Sequence, residues 1–421
     1  MIDKLAVLRA IEAAKKSGSS SPQKDVAEAM GLNRSTVRWI ASESPKPAAK
    51  EKEAAKVYQL GGTAADRKII KLEDEVHRLR AELKTAHRQS LGDDEIRDIL
   101  GTASIAPTEQ PDWLTRVKES SKRTPEVPVL TLADPHAGEV VTPSEVNGVN
   151  EYNVRVLDRR FKRVIDQTIS LCDNYGPGNY PGIIVNLAGD NVSGGLHEEL
   201  RKTDELSPLE ATLHMRDLLA AGLRRLADHF GRVYVPAVAG NHGRATVRPE
   251  FKRYVRNNFD WLLYELLHRE FANDKRIQVD TRDANEVYYR VYGKRFFLNH
   301  GDMMGVKGGD GIIGAIGPIM RGEVKMRAHA ASSGMEYDVM IIGHWHQQIW
   351  LPRAIVANTM KGYDEYAKNA LRAPITAPSQ PLFFVHPRYG ITSKWDILCE
   401  EPAPKADTAW VEMFNPVRRA A

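Results

Sequence analysis

Two histidines close the run Ile341-Ile342-Gly343-His344-Trp345-His346. Two apolar residues end a strand there, a glycine opens the turn, and the imidazoles follow with one residue between them. Along a strand, successive side chains alternate faces; past its end that rule relaxes, so both rings can turn toward one site. Imidazole is the commonest side-chain metal ligand, and two at this spacing can serve neighbouring cations. By itself the pair fits a structural role as well. It gains force because four other stretches have the same form, an apolar run followed by metal-ligand chemistry.

Taken in chain order, the run 127–132 ends in Asp134-Pro135-His136, an acid and an imidazole able to share a divalent cation. The run 183–187 ends in Gly189-Asp190, whose two carboxylate oxygens can reach two metals. The run 233–238 delivers Gly240-Asn241-His242-Gly243, an amide oxygen ligand beside a histidine available for catalysis. The run 295–298 ends at Asn299-His300-Gly301, another ligand at a strand terminus. His197, after a Gly-Gly pair close to Asp190, is read either as a phosphate contact or as an exposed loop histidine.

The elements that must position these residues alternate between strands and helices from Val127 onward, which argues for a layered α/β domain over residues 127–400. Helices are expected at about Tyr152–Tyr175, Pro208–Phe230 and Glu250–Phe271, and a hairpin turn at Arg388-Tyr389-Gly390.

In this order, Asp-x-His, Gly-Asp, Gly-Asn-His, His and Gly-His-x-His resemble the calcineurin-like metallophosphoesterase superfamily, over about Val127 to His346. Each motif is weak alone, and five in order at predicted strand ends are specific. The resemblance implies a β-sandwich flanked by helices, with two divalent metals at the strand termini. Carried over by position, Asp134, His136 and His346 would bind the first metal, Asp190 would bridge, and Asn241, His300 and His344 would bind the second. His242 would protonate the leaving oxygen or offset its charge. Two such cations neutralise a phosphate and lower the pKa of a bridging water, giving a hydroxide nucleophile. Manganese is expected first, with iron or zinc also compatible with mixed oxygen and nitrogen ligands. The chain departs from the pattern at Gly243, where many members carry an acid, and at Asn191-Val192-Ser193-Gly194, where an acid often follows the bridging aspartate. Both changes bear on substrate class.

The first 126 residues are of another kind. Residues 1–44 read as a small all-α domain resembling a helix-turn-helix module. Gly31 is its turn, and Val26, Ala27, Leu32, Val37 and Ile40 fill its apolar positions. Arg34, Ser35, Thr36 and Arg38 on its third helix would face DNA. Residues 45–64 read as a linker. Between residues 65 and 90, Ile69, Leu72, Val76, Leu79, Leu83 and Ala86 form an a/d seam, a short coiled-coil or amphipathic helix expected to make a homodimer through residues 69–86. Residues 91–126 read as a connector and 401–421 as a tail.

The 421-residue chain is 42% hydrophobic and 27% charged, which excludes wholesale disorder. A net charge of +4 does not mark a nucleic-acid binder, and two cysteines supply neither a disulfide framework nor a Cys-based zinc site. With no apolar run of spanning length, the expectation is a cytoplasmic protein without membrane contact. The function expected is a metal-dependent phosphoesterase hydrolysing phosphodiesters, a DNA nuclease of the general form of phage and prophage phosphoesterases. The alternatives are a phosphatase or nucleotide phosphodiesterase targeted by its N-terminal domain, and a DNA-binding regulator without catalysis.

Overall fold

The structure, a computed structural model, describes residues 7, 10, 11, 13, 14, 21–33, 36–37, 109–116, 125–178, 180–194, 196, 198–246, 248–306 and 315–401. The expected linker (45–64), coiled coil (65–90), most of the connector and all but the first residue of the tail lie outside them, as do Arg34, Ser35, Arg38 and His197. The chain divides into two compact units, Met1–Ala103 and Ser104–Ala421.

In the first unit, helix α1 (Pro22–Ala29) starts on a proline, whose fixed φ and missing N–H suit a first helical position. It ends at Met30, and Gly31 follows at φ 63°, a left-handed conformation that glycine adopts without penalty. Thr36 N and Val37 N then donate to Asn33 O at 2.9 and 3.2 Å, opening the next helical turn. Val7, Ile11, Val26, Ala27 and Val37 bury one another, with Leu32 packed against them. The described residues thus hold one helix, a left-handed turn at Gly31 and a further helical turn up to Val37.

The second unit is a mixed α/β sandwich. Its strands are β1 (Val127–Leu132), β2 (Ile183–Leu187), β3 (Val233–Pro236), β4 (Ile277–Asp280), β5 (Glu286–Val291), β6 (Lys294–Asn299), β7 (Val339–Ile342), β8 (Ile349–Trp350), β9 (Ala354–Val356), β10 (Ser379–His386) and β11 (Gly390–Leu398). One sheet runs β11-β10-β1-β2-β3-β4, the other β5-β6-β7-β9-β8. The β1–β4 pairings are parallel, as are β6 with β7 and β7 with β9. The strands connected by hairpins pair antiparallel, including β10 with β11 around the expected turn.

The period of two along each strand builds three apolar layers. Val127 and Val129 of β1, Ile184 of β2, Phe296 and Leu298 of β6 and Ile341 of β7 meet between the two sheets. Leu130, Leu132, Val185 and Leu187 point the other way, toward helices α2 (Val154–Tyr175), α4 (Pro208–Phe230) and α5 (Phe259–Glu270). The short helix α3 (Glu198–Thr203) precedes α4. Phe297, Met340 and Ile342 face outward, where Ile319 and Ala330 of helix α6 (Ile316–Ser332) cover the second sheet. Burial on both faces accounts for the near-continuous apolar runs of β1, β2 and β7.

Two helices agree with the sequence expectation closely. The Ser207 hydroxyl accepts from Glu210 N, and the Glu210 carboxylate accepts from Ser207 N, a capping box that fixes the start of α4. The helix expected over Glu250–Phe271 instead begins at Phe259. Asn258 caps it, its side chain accepting from Asp260 N at 2.8 Å. The described residues between Arg244 and Asn257 form a loop closed at its neck by the Arg244–Asn258 bridge. Residues 109–116 lie on the second unit: Leu114 is buried, its carbonyl accepts from Tyr292 N, and Gln110 accepts from Arg290 N. No helix among the described residues is long and apolar enough to cross a membrane.

Candidate metal centre

Adjacent parallel strands deliver their C-terminal ends to the same place. β1, β2 and β3 in one sheet carry Asp134 with His136, Asp190, and Asn241 with His242; β6 and β7 in the other carry His300, and His344 with His346. The loops that hold them extend the ladders by backbone bonds: Asp134 N to Gly189 O (3.2 Å), His136 N to Asp190 O (3.0 Å) and Gly343 N to His300 O (3.0 Å).

Asp134, His136, Asp190, His344 and His346 all have positive φ, between 50° and 66°. That conformation is uncommon for residues with a side chain, and each instance costs on the order of 1–3 kcal/mol. Five at one site show backbone strain held there by the surrounding loops. Glycines permit the close approach. A Cβ on Gly240 would collide with the Asp190 carboxylate and backbone, and one on Gly343 with the Asp134 carboxylate.

The side chains form a chain of groups. Asp134, His136 and His346 offer ligand atoms within 4.8 Å of one another; so do His136, Asp190 and His242, and so do Asp190, His300 and His344. His136 and Asp190 link the three. Asp134, His136, Asp190 and His300 are buried, so these donors face one another rather than water. His346 Nε2 lies 3.2 Å from His136 Nε2 and 3.3 Å from Asp134 Oδ1. His300 Nε2 lies 3.1 Å from both Asp190 Oδ2 and Asn241 Oδ1.

Tautomers follow from the other ring nitrogens. His300 Nδ1 sits 2.7 Å from Ala188 O, a pure acceptor, so Nδ1 carries hydrogen and Nε2 faces the cluster. His242 Nδ1 likewise faces Ser193 O at 3.2 Å. Fixing a ligand's second nitrogen on a carbonyl is a recurrent way to aim the first.

Burial lowers the pKa of His136 and His242, and drives His344 down to about 4 with the neighbouring His300 charge as a further cause. Those three imidazoles are neutral at pH 7 and have lone pairs to give. Burial alone would raise the Asp190 carboxyl, but the charged His300 ring, which also hydrogen-bonds it, holds it well below its usual range. Burial would also lower His300, and the Asp190 charge overrides it and holds the ring protonated. In the ion-free chain a proton on Nε2 therefore reconciles His300 with two oxygen acceptors. A divalent cation among the same atoms would take the place of that proton, so the residues fit a metal. These buried His and Asp groups could hold metal ions.

Two residues essential to this geometry carry no ligand motif. Asp260, buried in the first turn of α5, accepts from Asp190 N (2.9 Å), Gly240 N (2.8 Å), Asn191 N (3.1 Å) and Asn191 Nδ2 (3.2 Å). Asn258 donates from Nδ2 to Gly240 O at 2.6 Å. Together they clamp the β2 and β3 loops. In the sequence they read as interior positions of a longer helix; an acid on the apolar side of that helix was the available signal. On the other flank, Thr359 Oγ1 donates to Asp134 O at 2.8 Å, and Gln380 Oε1 accepts from Ala133 N at 2.7 Å. Lys361 is buried between Glu139 (2.8 Å) and Asp364 (2.5 Å), and Glu139 Oε2 lies 3.6 Å from His136 Nδ1.

No family model matches the chain, and no curated protein matches it. Among solved structures, a conserved uncharacterised protein from Streptococcus pneumoniae TIGR4, described as a predicted phosphoesterase, aligns over 64% of this chain and 98% of its own. The identity is 10% and the TM-score 0.25. A likeness at that level carries no argument about function.

Proposed function

We propose that the second unit is a dinuclear metal phosphoesterase that hydrolyses phosphodiester bonds, and that its substrate is DNA. The observation that carries the chemistry is the linked set of acid and imidazole groups, joined through His136 and Asp190 at five strand ends. Asp134, His136 and His346 would hold one cation, Asn241, His300 and His344 the other, and Asp190 would reach both. When bound, two divalent cations, manganese first among them, supply phosphate charge neutralisation and a lowered pKa for water.

The chain's own residues do the rest. Asp190 Oδ1 accepts from His242 N at 2.7 Å, so the carboxylate is oriented before any ligand arrives. The His242 ring meets His136 edge-on at 4.5 Å between centroids. With Nδ1 held by Ser193 O, Nε2 is the His242 atom that would face a departing oxygen; the ring, neutral at pH 7, would take up a proton there from water before passing it to that oxygen. DNA as substrate is supported by the first unit. α1, the Gly31 turn and the helical start at Thr36 have the order of a helix-turn-helix, in which Arg34, Ser35, Thr36 and Arg38 would meet the duplex. A tethered DNA-binding unit raises the local concentration of substrate.

The test is manganese-dependent hydrolysis of linear duplex DNA, single-stranded DNA and bis-p-nitrophenyl phosphate by wild type and His242→Ala. Cleavage of DNA and the small diester, both lost in the variant, is the expected result. Hydrolysis of the small diester with DNA untouched would reassign the substrate to a nucleotide or another phosphoester. No hydrolysis of either would overturn the reading.

A further inference from the structure

The loop that leaves the candidate centre after His242 has a composition that metal binding does not require. From Arg244 to Asn257 it carries Arg244, Arg248, Lys252, Arg253 and Arg256 against one acid, Glu250. Two of the cations have structural work. Arg244 donates to Thr246 O and, at 3.3 Å, to Asn241 O. Arg256 is paired with Asp283 and lies over Trp261. Arg248, Lys252 and Arg253 are exposed, and none has an acidic partner among the described residues.

Phe251 stands amid these three and is 85% exposed, the largest fraction among the exposed large apolar residues described. At that exposure the Phe251 ring buries little apolar surface and contributes little to the stability of the free chain. The loop is nevertheless anchored. Ala245 N donates to Asn257 O at 2.9 Å, Phe259 N to Gly243 O at 2.7 Å, and Tyr254 Oη to Asp302 Oδ2 at 2.7 Å. Asp302 lies two residues beyond His300, so the loop is tied to the centre at the β3 end and at the β6 end.

We propose that residues 248–257 form a contact for a single polynucleotide strand: Phe251 stacks on an unpaired base while Arg248, Lys252 and Arg253 meet the flanking phosphates. A phenyl ring offers a face to any base, and cations beside it track the backbone, the combination by which single strands are bound without sequence preference. Charge complementarity selects the occupant: an excess of unpaired cations around an exposed ring repels a basic protein surface and suits a polyanion carrying planar bases. Deoxyribose and ribose strands share that chemistry. The inference rests on the phosphodiesterase reading above and adds that the catalytic unit itself engages a frayed or single strand.

The test uses the full chain in chelator, titrated into fluorescent oligothymidylate and oligouridylate and followed by anisotropy. Separately, the wild type is assayed for manganese-dependent hydrolysis of bis-p-nitrophenyl phosphate. Phe251→Ala should weaken strand binding roughly tenfold or more. Tyr389→Ala, which removes an aromatic 69% exposed on the β10–β11 turn, should not. The combined Arg248→Ala, Lys252→Ala, Arg253→Ala variant should lower the slope of log affinity against log salt by about 2. Urea midpoints of the variants check that each is folded. Unchanged affinity in Phe251→Ala, or no strand binding by wild type, overturns the inference; with the small diester still hydrolysed, the phosphodiesterase reading survives that failure. Binding lost in Phe251→Ala, with no hydrolysis by wild type, supports the strand contact and overturns the catalytic reading. The two oligomers distinguish DNA from RNA.

Discussion

Asp260→Asn changes one buried atom and loosens two loops. Asp260 Oδ2 accepts from Asp190 N and Gly240 N, and Oδ1 from Asn191 N and Asn191 Nδ2. An amide replaces one of these oxygens with NH2, so in either orientation at least one buried backbone N–H faces another donor. A hydrogen bond to a charged acceptor contributes about 1.5–3 kcal/mol net, which puts the loss of one or two at about 1.5–6 kcal/mol. An offset works the other way. Burial, with the neighbouring Asp190 charge, raises the Asp260 carboxyl to about 6, and the amide relieves that buried charge. The expected cost is therefore near the lower bound, about 2 kcal/mol of a total on the order of 5–15 kcal/mol. Urea unfolding of the metal-free chain reads this as a lowered midpoint, and manganese titration should show weaker binding because Asp190 and Asn241 lose their shared anchor. A variant within about 0.5 kcal/mol of wild type, with unchanged manganese affinity, would refute the clamp.

Other expectations concern the flank of the centre. Lys361→Met leaves Glu139 and Asp364 buried without their cation and should destabilise by about 3–5 kcal/mol in urea unfolding; a neutral or stabilising effect would show that the trio does not depend on its lysine. Burial raises Asp204 from 3.8 to about 7. Its folded pKa exceeds its unfolded one, so its contribution to stability is present below about 3.8 and is lost as pH rises through about 7. Asp204→Asn, uncharged throughout, should accordingly gain on wild type between about pH 4 and pH 8, and an equal difference at both ends would contradict the burial argument.

That the acid and imidazole groups of the centre would gather was legible in the sequence for a physical reason. Each follows an apolar run long enough to be a buried strand, and parallel strands deposit their ends side by side. Asp190, His300 and His344 therefore meet although they lie far apart in the chain. The supporting residues were not legible. Asp260 sits beside Trp261, Leu262 and Leu263, where apolar periodicity extends the helix backward and hides the cap at Asn258. The loop before it reads as helix by composition, yet Arg253 has φ 56°, a conformation no periodic pattern announces. The five left-handed backbones of the centre are equally silent in the sequence. They come from loops tied together by long-range contacts such as Met360 N to Asp134 O. Lys361 and Glu139 pair across 222 positions, beyond any local spacing rule.

The most direct measurement is calorimetric titration of manganese into the metal-free chain, wild type beside Asp190→Asn. Two ions bound per chain in wild type, with both sites weakened in the variant, is the result the shared carboxylate predicts. A single ion, or two ions with affinities unaffected by Asp190→Asn, would contradict a dinuclear centre built on Asp190.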